Sequence, residues 1–87
     1  MTISINKISE NEFSVTVSLE TTSKHMVLID DKTHLQLTNG RISKENLLKI
    51  SFEFLLERES NESILRSFDL EEIENYFPEY NKILNIT

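Results

Sequence analysis

The sequence predicts an α+β fold, a three-stranded antiparallel meander packed on one long helix and two shorter helices. Three observations carry this expectation. The first 30 residues contain short runs of alternating apolar and polar residues separated by polar turns. Residues 43–59, SKENLLKISFEFLLERE, form the longest run with helical periodicity and the densest apolar content. A second helix start with a paired cap follows at Asp69. At 87 residues the chain reads as one domain, with residues 1–30 as the meander and 31–87 as the helical part.

Taken in order, TISINKI (residues 2–8) sets Ile3 and Ile5 against Ser4 and Asn6, the period of a half-buried strand. FSVTVSLE (13–20) is the clearest strand, with Phe13, Val15, Val17 and Leu19 on one side and Ser14, Thr16, Ser18 and Glu20 on the other. After the short connection Thr21-Thr22-Ser23 comes KHMVLID (24–30). Short connections imply antiparallel neighbours. This third strand is apolar on both faces, His25, Val27 and Ile29 against Met26 and Leu28. It is expected to be buried on both sides, under a helix on one and a second molecule or the chain's own tail on the other.

Asp30 and Asp31 suit a helix cap, and DKTHLQLT provides about two turns before Asn39-Gly40 closes them. Ser43 caps the central helix, and Ile42 with Leu47 has the spacing of a hydrophobic staple. Along that helix Leu47, Leu48, Ile50, Phe52, Phe54, Leu55 and Leu56 spread over roughly 240° of the cylinder, whereas covering one sheet needs little more than about 100°. It therefore requires cover from two directions, the second supplied by the C-terminal helix or by another copy of the chain. Ser51 and Arg58 fall within the apolar arc, as a small packing residue and a snorkelling side chain. Ser60-Asn61 breaks the periodicity, and ESILRSF is expected to add another turn. Asp69 then caps a helix, with Glu72 in the capping-box position and Phe68 and Ile73 as the staple. Leu70, Ile73 and Phe77 form its buried stripe. Pro78 ends it, and Tyr80, Ile83 and Leu84 dock the tail.

Composition limits the function classes. There is no cysteine, which fits a reducing, cytoplasmic setting. The opening MTISINKISENE lacks the basic and apolar regions of a secretion signal, and no apolar run approaches the ~20 residues of a membrane span. The net charge is −6. Residues 53–79 carry nine acids against Arg58 and Arg66, so the rest of the chain is close to neutral. Such a surface repels phosphate backbones. It reads either as a solvated acidic face or as a docking surface for a basic protein partner, with Glu53, Glu57, Glu71 and Glu74 as the candidate residues.

No constellation for chemistry emerges. His25 and His34 lack metal-ligand spacing, and the single glycine leaves no loop to cradle phosphates. No serine lies in a glycine-flanked elbow, and Glu53 and Glu57 share a solvated helix sector. The expectation is no catalytic residue, no metal and no cofactor.

Residues 24–59 combine a strand (KHMVLI), a helix starting at Asp30 or Asp31, a glycine turn and a helix opening at Ser43. This order resembles the ribbon-helix-helix repressors and antitoxins of bacteria. The resemblance implies a dimer formed by pairing one strand from each chain, with the ribbon in the DNA major groove. The strand offers His25, Val27 and Ile29 or Lys24, Met26 and Leu28 where that ribbon would be polar or basic. A second resemblance covers residues 40–80, GRISKENLLKISFEFLLERESNESILRSFDLEEIENYFPEY. This block, above all FEFLLERE followed by FDLEEIENYFPEY, is similar to the C-terminal portion of a family of short uncharacterised bacterial proteins. It implies a bacterial origin and no particular activity.

The expected function is a small non-enzymatic interaction or regulatory module that forms a homodimer, with Met26, Leu28, Ile50 and Phe54 as the self-association surface. The competing class is a ribbon-helix-helix-like DNA-binding antitoxin or repressor.

Overall fold

Alternation along the first third of the chain becomes a sheet in the computed structural model, which describes residues 2–80 together with Lys82 and Leu84. Strands β1 (Thr2–Lys7), β2 (Glu12–Ser18) and β3 (Thr22–Leu28) form an antiparallel meander. Two helices follow, α1 (Asp31–Thr38) and α2 (Lys44–Leu56), then a 3₁₀ turn at Asn61–Ser63. A fourth strand, β4 (Ser67–Asp69), and a short helix, α3 (Glu72–Tyr76), complete the order. The sheet runs β1-β2-β3-β4, with β4 parallel to β3. The fold is thus α+β, with a four-stranded mixed sheet rather than a three-stranded antiparallel one.

The fourth strand arises where another helical turn was expected. Three residues are too few for a readable alternation. What makes them a strand is the free edge of β3: Met26 N–H donates to Arg66 O (2.7 Å) and Leu70 N–H to Leu28 O (2.9 Å). The ladder places Val27 opposite Phe68, so both side chains enter the core.

The helix starts follow their caps. Asp30 is the N-cap of α1, and its side chain accepts from Thr33 N–H at 2.7 Å. That bond, more than nearby lysines, holds the Asp30 carboxyl below its ordinary range. Asn39 and Gly40 both adopt left-handed backbone, at φ 55° and 74°, and turn the chain toward Ser43. Ser43 caps α2 by accepting from Asn46 N–H at 3.1 Å. Lys44 then reaches three acceptors at once, Glu10 O, Asn11 Oδ1 and Asp31 Oδ1, at 2.8–3.1 Å. One ammonium therefore ties the β1–β2 turn to the starts of α1 and α2.

Asp69 does not cap a helix. It lies in β4, and the N-cap of α3 is Glu71, which makes no side-chain cap bond. Only half of the expected capping box forms: Glu72 Oε2 accepts from Asp69 N–H at 2.8 Å. Pairing with β3 claims the Asp69 backbone and moves the helix start two residues on.

The core lies between the inner sheet face and α2. Phe13, Val15, Val17, Val27 and Phe68 meet Leu48, Phe52 and Leu55, with Ile3 and Ile5 half covered at the β1 end. The wide arc of α2 is covered from a second side by the chain itself. Phe54 packs edge-on against Phe77 (ring centroids 5.8 Å apart) and tilted against Tyr80 (5.4 Å). Leu70, Ile73 and Leu84 are buried in the same cluster. Ile83, expected to dock the tail as well, lies outside the described residues. Arg58 lies 3.7 Å over the Phe54 ring and donates to Phe54 O.

At the centre of the arc, Ser51 is fully buried and donates to Leu47 O at 2.7 Å. Its remaining acceptor capacity meets the Tyr80 hydroxyl in a short hydrogen bond. A serine within an apolar arc is thus a tether for the C-terminal segment and not merely a small residue.

Two outcomes follow. Phe52→Ala should destabilise the fold by about 3–5 kcal/mol in urea denaturation, since the ring is fully enclosed. An unmoved midpoint would contradict its place at the helix–sheet interface. Burial pushes the Tyr80 phenol well above its ordinary value, so folding favours the neutral form. That contribution is complete below the unfolded value of about 10 and is lost as pH rises beyond it. In a Tyr76→Phe variant, where Tyr80 is the remaining tyrosine, phenolate absorbance should rise together with the loss of far-UV dichroism. Ionisation of an intact fold would refute the buried tether.

Candidate interaction site

Both histidines are hydrogen-bonded within the chain. His25 is buried on the inner face of β3, and its Nδ1 donates to Leu65 O at 2.7 Å. A carbonyl only accepts, so Nδ1 carries the proton and Nε2 takes the Ser23 hydroxyl, 2.8 Å away. Asn61, also buried, donates to Ser23 Oγ and Thr21 O, each at 3.1 Å. This network fastens residues 61–65 to the start of β3 and so aims the following residues at the β3 edge. His34 Nε2 donates to Ile42 O at 2.6 Å, bracing the turn between α1 and α2. Among the described residues no three His, Asp or Glu side chains are grouped to hold a metal ion.

The four acids expected to form a docking face sit on two elements, the end of α2 and the start of α3. Glu53 and Glu57 are exposed one turn apart at the end of α2. Glu74 is half buried on α3. Glu71 accepts from Thr33 Oγ1 at 3.5 Å and borders a cleft with Asp30, Asp69 and Leu28.

The four residues expected on a dimer surface differ in exposure and lie on two elements, β3 and α2. Met26 and Leu28 lie on the outer sheet face, 36% and 40% exposed. Within the single chain, the described residues therefore leave the outer face of β3 open. Met26 has Ser14 and Ser67 as its cross-strand neighbours, and Leu28 has Glu12 and Asp69. Ile50 is half buried on α2, against the core. Phe54 is only 3% exposed, enclosed by Phe77, Tyr80 and Arg58. Tyr80 and Leu84 pack against the core and not over the outer sheet face.

Both edges of β3 are occupied, by β2 and β4. That leaves no edge for the strand-to-strand pairing that a ribbon-helix-helix arrangement requires. The open edges belong to β1 and β4. β1 offers six residues with no acid, no proline and Lys7 at its end, and its inward Ile3 and Ile5 are only half covered.

No helix among the described residues is long and apolar enough to cross a membrane. No protein-family model, curated protein or solved structure matches the chain.

The His25 network generates a local prediction. His25→Leu places an apolar side chain there but leaves Leu65 O without its donor and the Ser23 hydroxyl without its acceptor, which should cost about 1–3 kcal/mol. Hydrogen exchange should accelerate first in residues 61–69. Uniform acceleration across the whole sheet would show that the network does not act locally.

Proposed function

We propose that the protein is a small non-enzymatic interaction module that works as a homodimer. The observation that carries this reading is the open edge of β1. An unprotected edge strand presents unpaired backbone groups to any extended chain and is normally blunted by charge, proline or a covering element. Among the described residues β1 has none of these along Thr2–Asn6.

Charge placement supports the same edge. Residues 1–52 contain six acids and six bases, whereas the −7 of residues 53–79 belongs to the helical part. Two copies meeting at β1 therefore bring neutral halves together and keep the acidic parts away from the two-fold axis. In an antiparallel pairing, facing residues share a side of the sheet. Placing Ile3 of each copy opposite Ile5 of the other would complete the cover of both and continue the sheet across the dimer.

Light scattering at micromolar concentration tests this reading: twice the chain mass of 10.2 kDa supports it and the single mass overturns it. Ile3→Lys, which turns a charge inward at the edge, should give a folded monomer, whereas Met26→Ser should leave the dimer intact. The reverse pattern would move the interface to the outer sheet face. Duplex DNA should not change the mass at any salt concentration, as it would for a DNA-binding dimer.

A further inference from the structure

At the β4 edge, on the other side of the sheet from β1, the end of α2, the 3₁₀ turn and α3 enclose an apolar groove of about 170 Å³. Its floor is Leu55, Ile64, Phe68 and Ile73, all buried. Leu65 and Tyr76 border it while remaining 47% and 64% exposed. Two of the chain's large exposed apolar side chains thus converge on one concavity, an arrangement unlike singly scattered surface residues. Glu59 and Glu72 also line it, and no Lys, Arg or His does.

Size and charge together select the occupant. Sites for free cofactors and drug-sized ligands run to about 300–1,000 Å³, well above this groove. A cavity of about 150 Å³ admits benzene, so the groove has room for one leucine- or phenylalanine-sized side chain. The surrounding segment, residues 53–79, carries nine acids and two bases. Of those bases, Arg58 is already engaged with the Phe54 ring and carbonyl and lies near Glu57. We infer that the groove binds a basic segment of another protein, one apolar side chain seated between Leu65 and Tyr76 and flanking Lys or Arg residues facing Glu59 and Glu72. This goes beyond self-association at β1 and does not depend on it, since the two surfaces lie at opposite edges of the sheet.

The test uses the full chain and a fluorescently labelled helical peptide of leucine and lysine with its leucines on one face. Two control peptides carry glutamate in place of lysine or serine in place of leucine. The leucine–lysine peptide should bind, more weakly as salt is raised, and both controls should fail. Leu65→Asp should weaken binding about tenfold, the scale of losing a well-seated anchor, and Glu59→Lys should weaken it mainly at low salt. Met26→Ser, on the outer sheet face, should bind like the parent. Far-UV dichroism confirms that each variant is folded. Equal binding of the serine-for-leucine control would reduce the effect to bulk charge and overturn the proposal. Undiminished binding by folded Leu65→Asp, or equal losses in Leu65→Asp and Met26→Ser, would also overturn it. Since the readout is peptide binding and not mass, failure here is distinguishable from failure of the homodimer.

Discussion

The structure depends on α2 being covered twice. One flank carries Leu48, Phe52 and Leu55 into the sheet, and the other carries Phe54 and Ser51 toward the C-terminal segment. An arc of this width would expose a large apolar surface if either cover were missing. The second cover must also be held in register, and apolar packing alone is non-directional. The Ser51–Tyr80 bond supplies direction. Ser51 donates its hydrogen bond to Leu47 O and accepts from Tyr80, so both buried hydroxyls are satisfied and the segment has one favourable seat.

A second polar network performs the same service at the sheet. His25 would be a liability on the inner face were both its ring nitrogens not engaged, by Leu65 O and Ser23 Oγ. Asn61 completes the set from the far side. Apolar packing thus supplies most of the driving force, while a few buried polar atoms decide which loop runs where. The groove beside β4 is a result of that choice, since Ile64, Leu65 and Phe68 are placed by the loop the network fastens.

Much of this was legible in the residues, and the parts that were not share a cause. Local chemistry read true: Asp30 and Ser43 cap their helices, Asn39 and Gly40 turn left-handed, and β2 buries Phe13, Val15 and Val17. What depended on distant partners did not. Ser67–Asp69 is a strand only because residues 26–28 leave an edge free, and that same pairing removes Asp69 from the helix cap. Met26 and Leu28 pointed to a layer over the outer sheet face, and within the single chain they stand half exposed between polar neighbours. Phe54 looked available for a partner until Phe77 and Tyr80 closed over it. The groove was not visible at all, because Leu55, Leu65 and Tyr76 come from three segments with no common periodicity.

The parallel strand β4 has a consequence for synthesis. It joins residues 26–28 to residues 67–69, so one edge of β3 waits for 41 further residues before its partner exists. At ordinary elongation rates that wait is roughly 2–8 s, long compared with the microseconds in which a hairpin closes. The meander and α1 can therefore form on the ribosome while an edge containing Met26 and Leu28 remains unpaired. That interval is the period of greatest exposure to misassociation between nascent chains. A slow codon run before Ser67 would lengthen it, and early engagement by a chaperone would shelter it.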